Sequence, residues 1–204
     1  MSKIITIGRQ LGSGGREIGE KLAKKLEIDY YDKKLLEMAA KESGMCEEII
    51  DKYDETGMSS LLYSLAMNPL GVLQNGKDAQ PIGTKAQMVV SKLIKELADK
   101  GSAVFVGRCA DSILCDRQDV INIFITAKMD DRIARIMKRR DISETQAKEL
   151  INKTDKSRAS YYNYYTNQKW GTASNYHLCL DSSFWGIEKS VMLLYQLLTS
   201  DQIR

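Results

Sequence analysis

The stretch "KIITIGRQLGSGGREIGEKLAKKL", residues 3–26, joins an apolar run to a glycine-rich turn and then to an amphipathic run. Lys3–Ile7 reads as a buried strand. Arg16–Leu26 reads as a helix, with Ile18, Leu22, Ala23 and Leu26 on one face. Glycines between a strand and a helix let backbone N–H groups converge on an anion, and the helix N-terminus adds partial positive charge. That order is the grammar of a phosphate-binding loop. A glycine turn that binds nothing has the same grammar, so the rest of the chain must separate the two.

The defined phosphate motifs fit imperfectly. The dinucleotide pattern G-x-G-x-x-G fails, because counting from Gly12 puts its third glycine on Glu17. The Walker pattern G-x-x-x-x-G-K-[ST] has two registers. With its second glycine on Gly14, the other defined places are Arg9, Gly15 and Arg16. One residue later, Gly15 and Arg16 take the "GK" pair and Glu17 replaces the hydroxyl. The later register keeps a cation beside the phosphates, as a planar fork instead of a point charge. Glu17 then either holds Mg²⁺ through water or caps the helix start.

Bulk properties narrow the classes. The 204 residues suit one domain with a small insertion. With 30 basic and 27 acidic side chains, the net charge of +3 is too small for the concentrated basic face of a nucleic-acid binder. Cys46, Cys109, Cys115 and Cys179 are widely spaced and His177 is the one histidine, which argues against a zinc site and a disulfide framework. No apolar run approaches the roughly 20 residues that span a bilayer. "MSKIITIG" lacks the parts of a signal peptide, so the expectation is cytoplasmic, with no membrane or nucleic-acid partner.

Short β-rich runs alternate with helical patterns, the signal of βαβ units and a parallel sheet. The expected strands are Lys3–Ile7, Ile28–Tyr31, Ser102–Val106, Val120–Thr126 and Tyr176–Leu180. Further helices are expected over Ala86–Asp99 and Trp185–Leu198. Residues 56–85 break the rhythm with both prolines and several glycines, so 45–85 reads as an inserted flap.

Other residues gather around the loop. Gly107 and Arg108 end a buried strand, the edge of an α/β sheet where ligands bind, and arginine there suits bidentate phosphate contact. Asp32 follows the second strand on the same edge, fit either to accept from a base or sugar or to cap the next helix. Arg132, Arg135 and Arg139 share a face of the run 127–144, with Ile133, Ile136 and Met137 toward the core. That face is either solvated or part of a lid that carries arginines onto a phosphoryl group. Arg158 follows in "TDKSRASYYNYY", whose tyrosines read as a packing or dimer surface before a base-stacking one.

Taken together, "IITIGRQLGSGGREIGEKLAKKL", "YYDKKLL", "VFVGRCAD" and "IFITAKMDDRIARIMKRR" make the chain resemble the cytidylate kinase-like family of P-loop nucleoside monophosphate kinases. The resemblance implies an α/β, three-layer P-loop NTPase-like fold over 1–204: a parallel five-stranded sheet, a helical acceptor-binding insertion at 45–85 and an arginine-bearing lid at 138–170. It implies ATP with Mg²⁺, bound at Gly12, Ser13, Gly14, Gly15, Arg16 and Glu17. Asp32, Arg108 and Asp111 would hold the acceptor, while Arg16, Arg135, Arg139 and Arg158 would supply catalytic charge. No protein metal site is expected, and monomer and homo-oligomer stay open. The chain departs from ordinary cytidylate kinases at Cys109, where they have aspartate, and in lacking the loop lysine and threonine.

The activity so implied is transfer of the ATP γ-phosphoryl to a nucleoside monophosphate, CMP or dCMP first. The alternatives are a P-loop kinase of another small acceptor and a catalytically silent nucleotide-binding regulatory module.

Overall fold

A computed structural model describes residues 3–32, 34–35, 37–38, 41 and 82–200. Its strands are β1 (Ile4–Arg9), β2 (Asp29–Tyr31), β3 (Ala103–Val106), β4 (Val120–Thr126) and β5 (Leu178–Asp181). Its helices are α1 (Gly15–Leu26), α2 (Ile82–Lys100), α3 (Ala110–Ile113), α4 (Met129–Arg140), α5 (Glu144–Thr166) and α6 (Ser182–Thr199), with a 3₁₀ turn at Ala173–Asn175. The strands form one five-stranded sheet in the order β2-β3-β1-β4-β5, all neighbours parallel. This is the expected α/β architecture. The expected insertion at 45–85 lies outside the described residues apart from 82–85, which begin α2.

Both faces of the sheet are covered, which explains the unbroken apolar strands. On one face Ile4, Ala103 and Phe105 pack with Leu93, Ile94 and Leu97 of α2. On the other, Ile5, Ile7, Val104 and Ile123 pack with Ile18 and Leu22 of α1 and Val191 and Leu194 of α6. Each fully buried aliphatic side chain contributes about 1.5–3 kcal/mol. A third cluster joins Leu11 of the loop to Ile133 and Ile136 of α4 and Ala147 and Ile151 of α5. The helices expected to form a lid are thus packed directly on the glycine loop.

Two local rules fix α5. Ser143 caps it, accepting from the Gln146 N–H at 3.3 Å while Gln146 Oε1 accepts from the Ser143 N–H at 2.9 Å. Asn167, at φ 55, ends it in the left-handed conformation. Strand β1 runs two residues beyond the expected Ile7, because Gly8 and Arg9 still pair with Phe124 and Ile125. Helix α6 starts three residues before the expected Trp185 and carries a break at Gly186, at φ 71 and ψ 170. Among the described residues no helix is long and apolar enough to cross a membrane.

Candidate active site

Strand β1 delivers the chain to the glycine loop at the C-terminal edge of the sheet. Gly14 is the N-cap of α1, and Gly12 and Gly14 both stand at φ +78, the left-handed region that glycine enters freely. Neither position has room for a side chain. A Cβ on Gly12 would lie 2.7 Å from the Arg132 carbonyl oxygen, and one on Gly14 would overlap Ile187 Cδ1. Ser13 is fully buried and closes the turn, donating to the Gln10 carbonyl at 2.8 Å and accepting from the Gly15 N–H at 3.3 Å.

The loop's carbonyls are gripped from the lid side. Arg158 donates to the Arg9 carbonyl at 3.0 Å, Arg132 to Leu11 at 2.7 Å and Arg135 to Gly12 at 3.0 Å. The Ser182 hydroxyl donates to the Ser13 carbonyl at 2.5 Å. In a planar trans peptide the C=O of one residue and the N–H of the next point opposite ways, and no cis bond occurs among the described residues. Holding the Leu11 and Ser13 carbonyls therefore turns the N–H groups of Gly12 and Gly14 to the other side. Gly14, the N-cap, stands at the positive end of α1, a field suited to an anion. Asp155 of α5 completes the clasp, accepting from the Leu11 N–H at 2.8 Å and pairing with Arg132.

Beside the loop lies an open cleft, lined by Arg9, Arg108, Asp111, Arg158, Tyr162 and Tyr176 among others. Strand β3 ends there in three successive left-handed residues, Gly107 at φ 76, Arg108 at φ 59 and Cys109 at φ 55. Non-glycine residues held so cost on the order of 1 kcal/mol or more each, strain that gathers at functional sites. Cys109 is buried, and burial followed by the Asp111 charge pushes its thiol far above the usual range.

Aromatic rings, Trp170 and Tyr176 among them, line part of the cleft. Phe124 meets Trp170 edge-on at 5.4 Å and Tyr176 at 4.9 Å. Tyr162 donates to Asp111 at 2.7 Å, and its hydroxyl lies 3.0 Å from Gln168 Oε1. Burial raises the Asp111 carboxyl above its ordinary value against the Tyr162 hydrogen bond, which lowers it. The cleft thus offers guanidinium groups together with rings and a carboxyl–phenol pair.

Asp32 connects the loop to the cleft. Its carboxylate is 4% exposed and lies 2.8 Å from Arg16 Nε and 3.6 Å from Arg9 Nη2. The Tyr30 phenol nearby is pushed up to about 12, by burial first and by the Asp32 charge second.

The residues expected from sequence therefore fall into several places. Gly12, Ser13, Gly14 and Gly15 form the loop, and Arg108, Asp111 and Arg158 line the cleft. Arg135 lies against the loop backbone. Arg16 is tied to Asp32, while Glu17 is exposed and pairs with Lys21 at 2.8 Å. Arg139 is exposed and takes no part in lining the cleft. Arg132, read with Arg135 and Arg139 as a solvated face or a lid face, is buried instead, because Asp155 and the Leu11 carbonyl compensate its charge. Sequence reasoning passed over Asp155 and Trp170, met Arg9 only as a misfit to the Walker pattern, and read Tyr162 as packing surface before base-stacking. Arg9 had the same signal as Arg108, a cation at the C-terminal end of a buried strand.

The cytidylate kinase of Methanopyrus kandleri is 24% identical over 203 residues, 95% of this chain and 92% of that one. The crystal structure of an uncharacterized protein from Eubacterium ventriosum matches with TM-score 0.73 at 26% identity, covering 98% of this chain and 99% of that one. Shikimate kinase from Bacteroides thetaiotaomicron shares the fold with TM-score 0.56 at 14% identity, covering 98% and 100%. The model of the cytidylate kinase-like family matches residues 4–184, and the chain belongs to that family.

Proposed function

We propose that the protein is an ATP-dependent phosphotransferase acting on a nucleoside monophosphate, with CMP or dCMP as the first candidate acceptor. The observation that carries this reading is that the glycine loop and an arginine-lined cleft share the C-terminal end of β1. The loop suits the donor phosphates, through the N–H groups of Gly12 and Gly14 and the N-terminus of α1. The cleft suits an acceptor, with Arg108 and Arg158 for its phosphate and the Asp111–Tyr162 pair for its ring.

Phosphoryl transfer asks for positioning and electrostatic stabilisation more than for covalent chemistry from the protein. Arg158 bears on both parts, lining the cleft while it donates to the Arg9 carbonyl. A directly ligated Mg²⁺ does not fit the loop, since Arg16 or Glu17 stands in place of the usual hydroxyl. Arg16 is paired with Asp32 and Glu17 with Lys21. The Mg²⁺ that accompanies ATP is left to the phosphates and water.

The test is ADP release from ATP with CMP, dCMP, UMP, AMP and GMP, alongside non-nucleotide acceptors. Turnover with a nucleoside monophosphate is expected. Turnover confined to a non-nucleotide acceptor would assign the protein to another small-molecule kinase, the reading favoured by the buried Cys109. Tight ATP binding with no turnover of any acceptor would leave the silent module, the reading favoured by the lysine-free loop.

A further inference from the structure

The structure selects one of the two Walker registers. In that pattern the second glycine and the lysine stand at the start of the helix, and here Gly14 is the N-cap and Gly15 the first helical residue. The first-glycine place is then Arg9, the lysine place Gly15 and the hydroxyl place Arg16. The loop has lost its lysine to a residue with no side chain. It has also gained an arginine where the pattern asks for glycine.

These two changes meet in space. A Cβ built on Gly15 would lie 2.6 Å from Arg9 Cβ and 3.2 Å from Arg9 Cγ. The stem of Arg9, with Ile125 Cβ at 3.1 Å beside it, therefore fills the volume that a side chain at the lysine place would enter. Beyond it the guanidinium passes under Gly107, where a Cβ would overlap Arg9 Nη1, and lines the cleft with Arg108 and Arg158. The side chain is 10% exposed, and Asp32 at 3.6 Å offsets its charge. Arg16 has the closer tie to the same carboxylate, at 2.8 Å, and is 37% exposed.

We propose that Arg9 takes the place of the absent loop lysine: its side chain fills the space vacated at Gly15 and carries a guanidinium to phosphate bound where loop and cleft join. This rests on the donor-site reading of the loop and reassigns its cation from Arg16 to Arg9. A planar fork meets two phosphate oxygens in a fixed bidentate geometry, where an ammonium acts as a compact point charge.

Titration with a non-hydrolysable ATP analogue tests this without requiring turnover. Arg9→Met keeps the stem and removes the charge, and Asp32 keeps Arg16 as its partner. Binding is expected to weaken at least tenfold in Arg9→Met, more than in Arg16→Met, with Arg9→Lys recovering part of the loss. Affinity in Arg9→Met within threefold of wild type overturns the proposal, as does a wild type that binds no triphosphate.

A second set of variants guards against misfolding. Arg9→Gly combined with Gly15→Lys moves the cation to the usual place and is expected to bind at least tenfold better than Arg9→Gly alone. No gain from the added lysine means the two positions do not share one space, and the proposal fails. Wild type that binds through Arg9 yet transfers nothing would sink the kinase reading and leave this inference standing.

Discussion

Replacing Arg132 with methionine probes the clasp that holds the loop. The change removes a guanidinium but keeps most of the stem. Arg132 is 4% exposed, donates to the Leu11 carbonyl at 2.7 Å and pairs with Asp155. Breaking a buried pair from one side typically costs about 3–5 kcal/mol, because the other charge is stranded. Asp155 retains the Leu11 N–H at 2.8 Å and 17% of its side-chain exposure. The lower end, about 3 kcal/mol, is therefore expected. For a domain of this size that is a fall in Tm of roughly 6–12 °C. Urea unfolding at constant m, with thermal melting beside it, reads the value, and Lys148→Met on the exposed side of α5 serves as the control. Adding Asp155→Leu should recover part of the loss, since exchanging both buried charges for apolar groups is often near neutral. An Arg132→Met variant within about 1 kcal/mol of wild type would refute the reasoning. So would strictly additive losses in the double variant.

Three further outcomes follow from the same geometry. Gly14→Ala combines a left-handed φ of +78 with overlap on Ile187 Cδ1, so a loss of about 2–4 kcal/mol is expected in chemical denaturation; Ile187→Ala should relieve only the steric part. Ser143→Ala removes the cap of α5 and should cost about 1 kcal/mol in the same assay. Burial raises the Asp111 carboxyl above its ordinary value of about 3.9. The folded state therefore favours its protonated form, a contribution fully present below the ordinary value and lost as pH rises through the raised one. Wild type should accordingly lose stability relative to Asp111→Asn as pH climbs from about 4, and parallel stability–pH curves for the two proteins would contradict that sign.

The fold was legible in the sequence because it is written in short-range pattern. The apolar runs "AVFV" and "INIFI" announce strands buried on both faces, and Ile18, Leu22 and Ala23 announce the inner face of α1. The glycine loop and Arg108 were readable for a related reason. Strand ends at the C-terminal edge of a parallel sheet converge on one crevice whatever the details of packing. Boundaries were less readable: Gly8 and Arg9 extend β1 only because β4 offers them partners.

The direction of each charged side chain was not legible. Spacing puts Arg132, Arg135 and Arg139 on one helix face, yet the first is buried on Asp155, the second holds the Gly12 carbonyl and the third is exposed. The first two fates depend on the loop backbone, with Leu11 lying 121 residues from Arg132 and Gly12 123 residues from Arg135 along the chain. By itself the sequence determined the sheet, the glycine turn and the edge where ligands gather, since local periodicity and chain direction fix them. Only the tertiary structure decided where each cation packs. The space at Gly15 belongs to Arg9, and a carboxylate from beyond β2 holds Arg16. Sequence spacing cannot report excluded volume and ion pairing between distant segments.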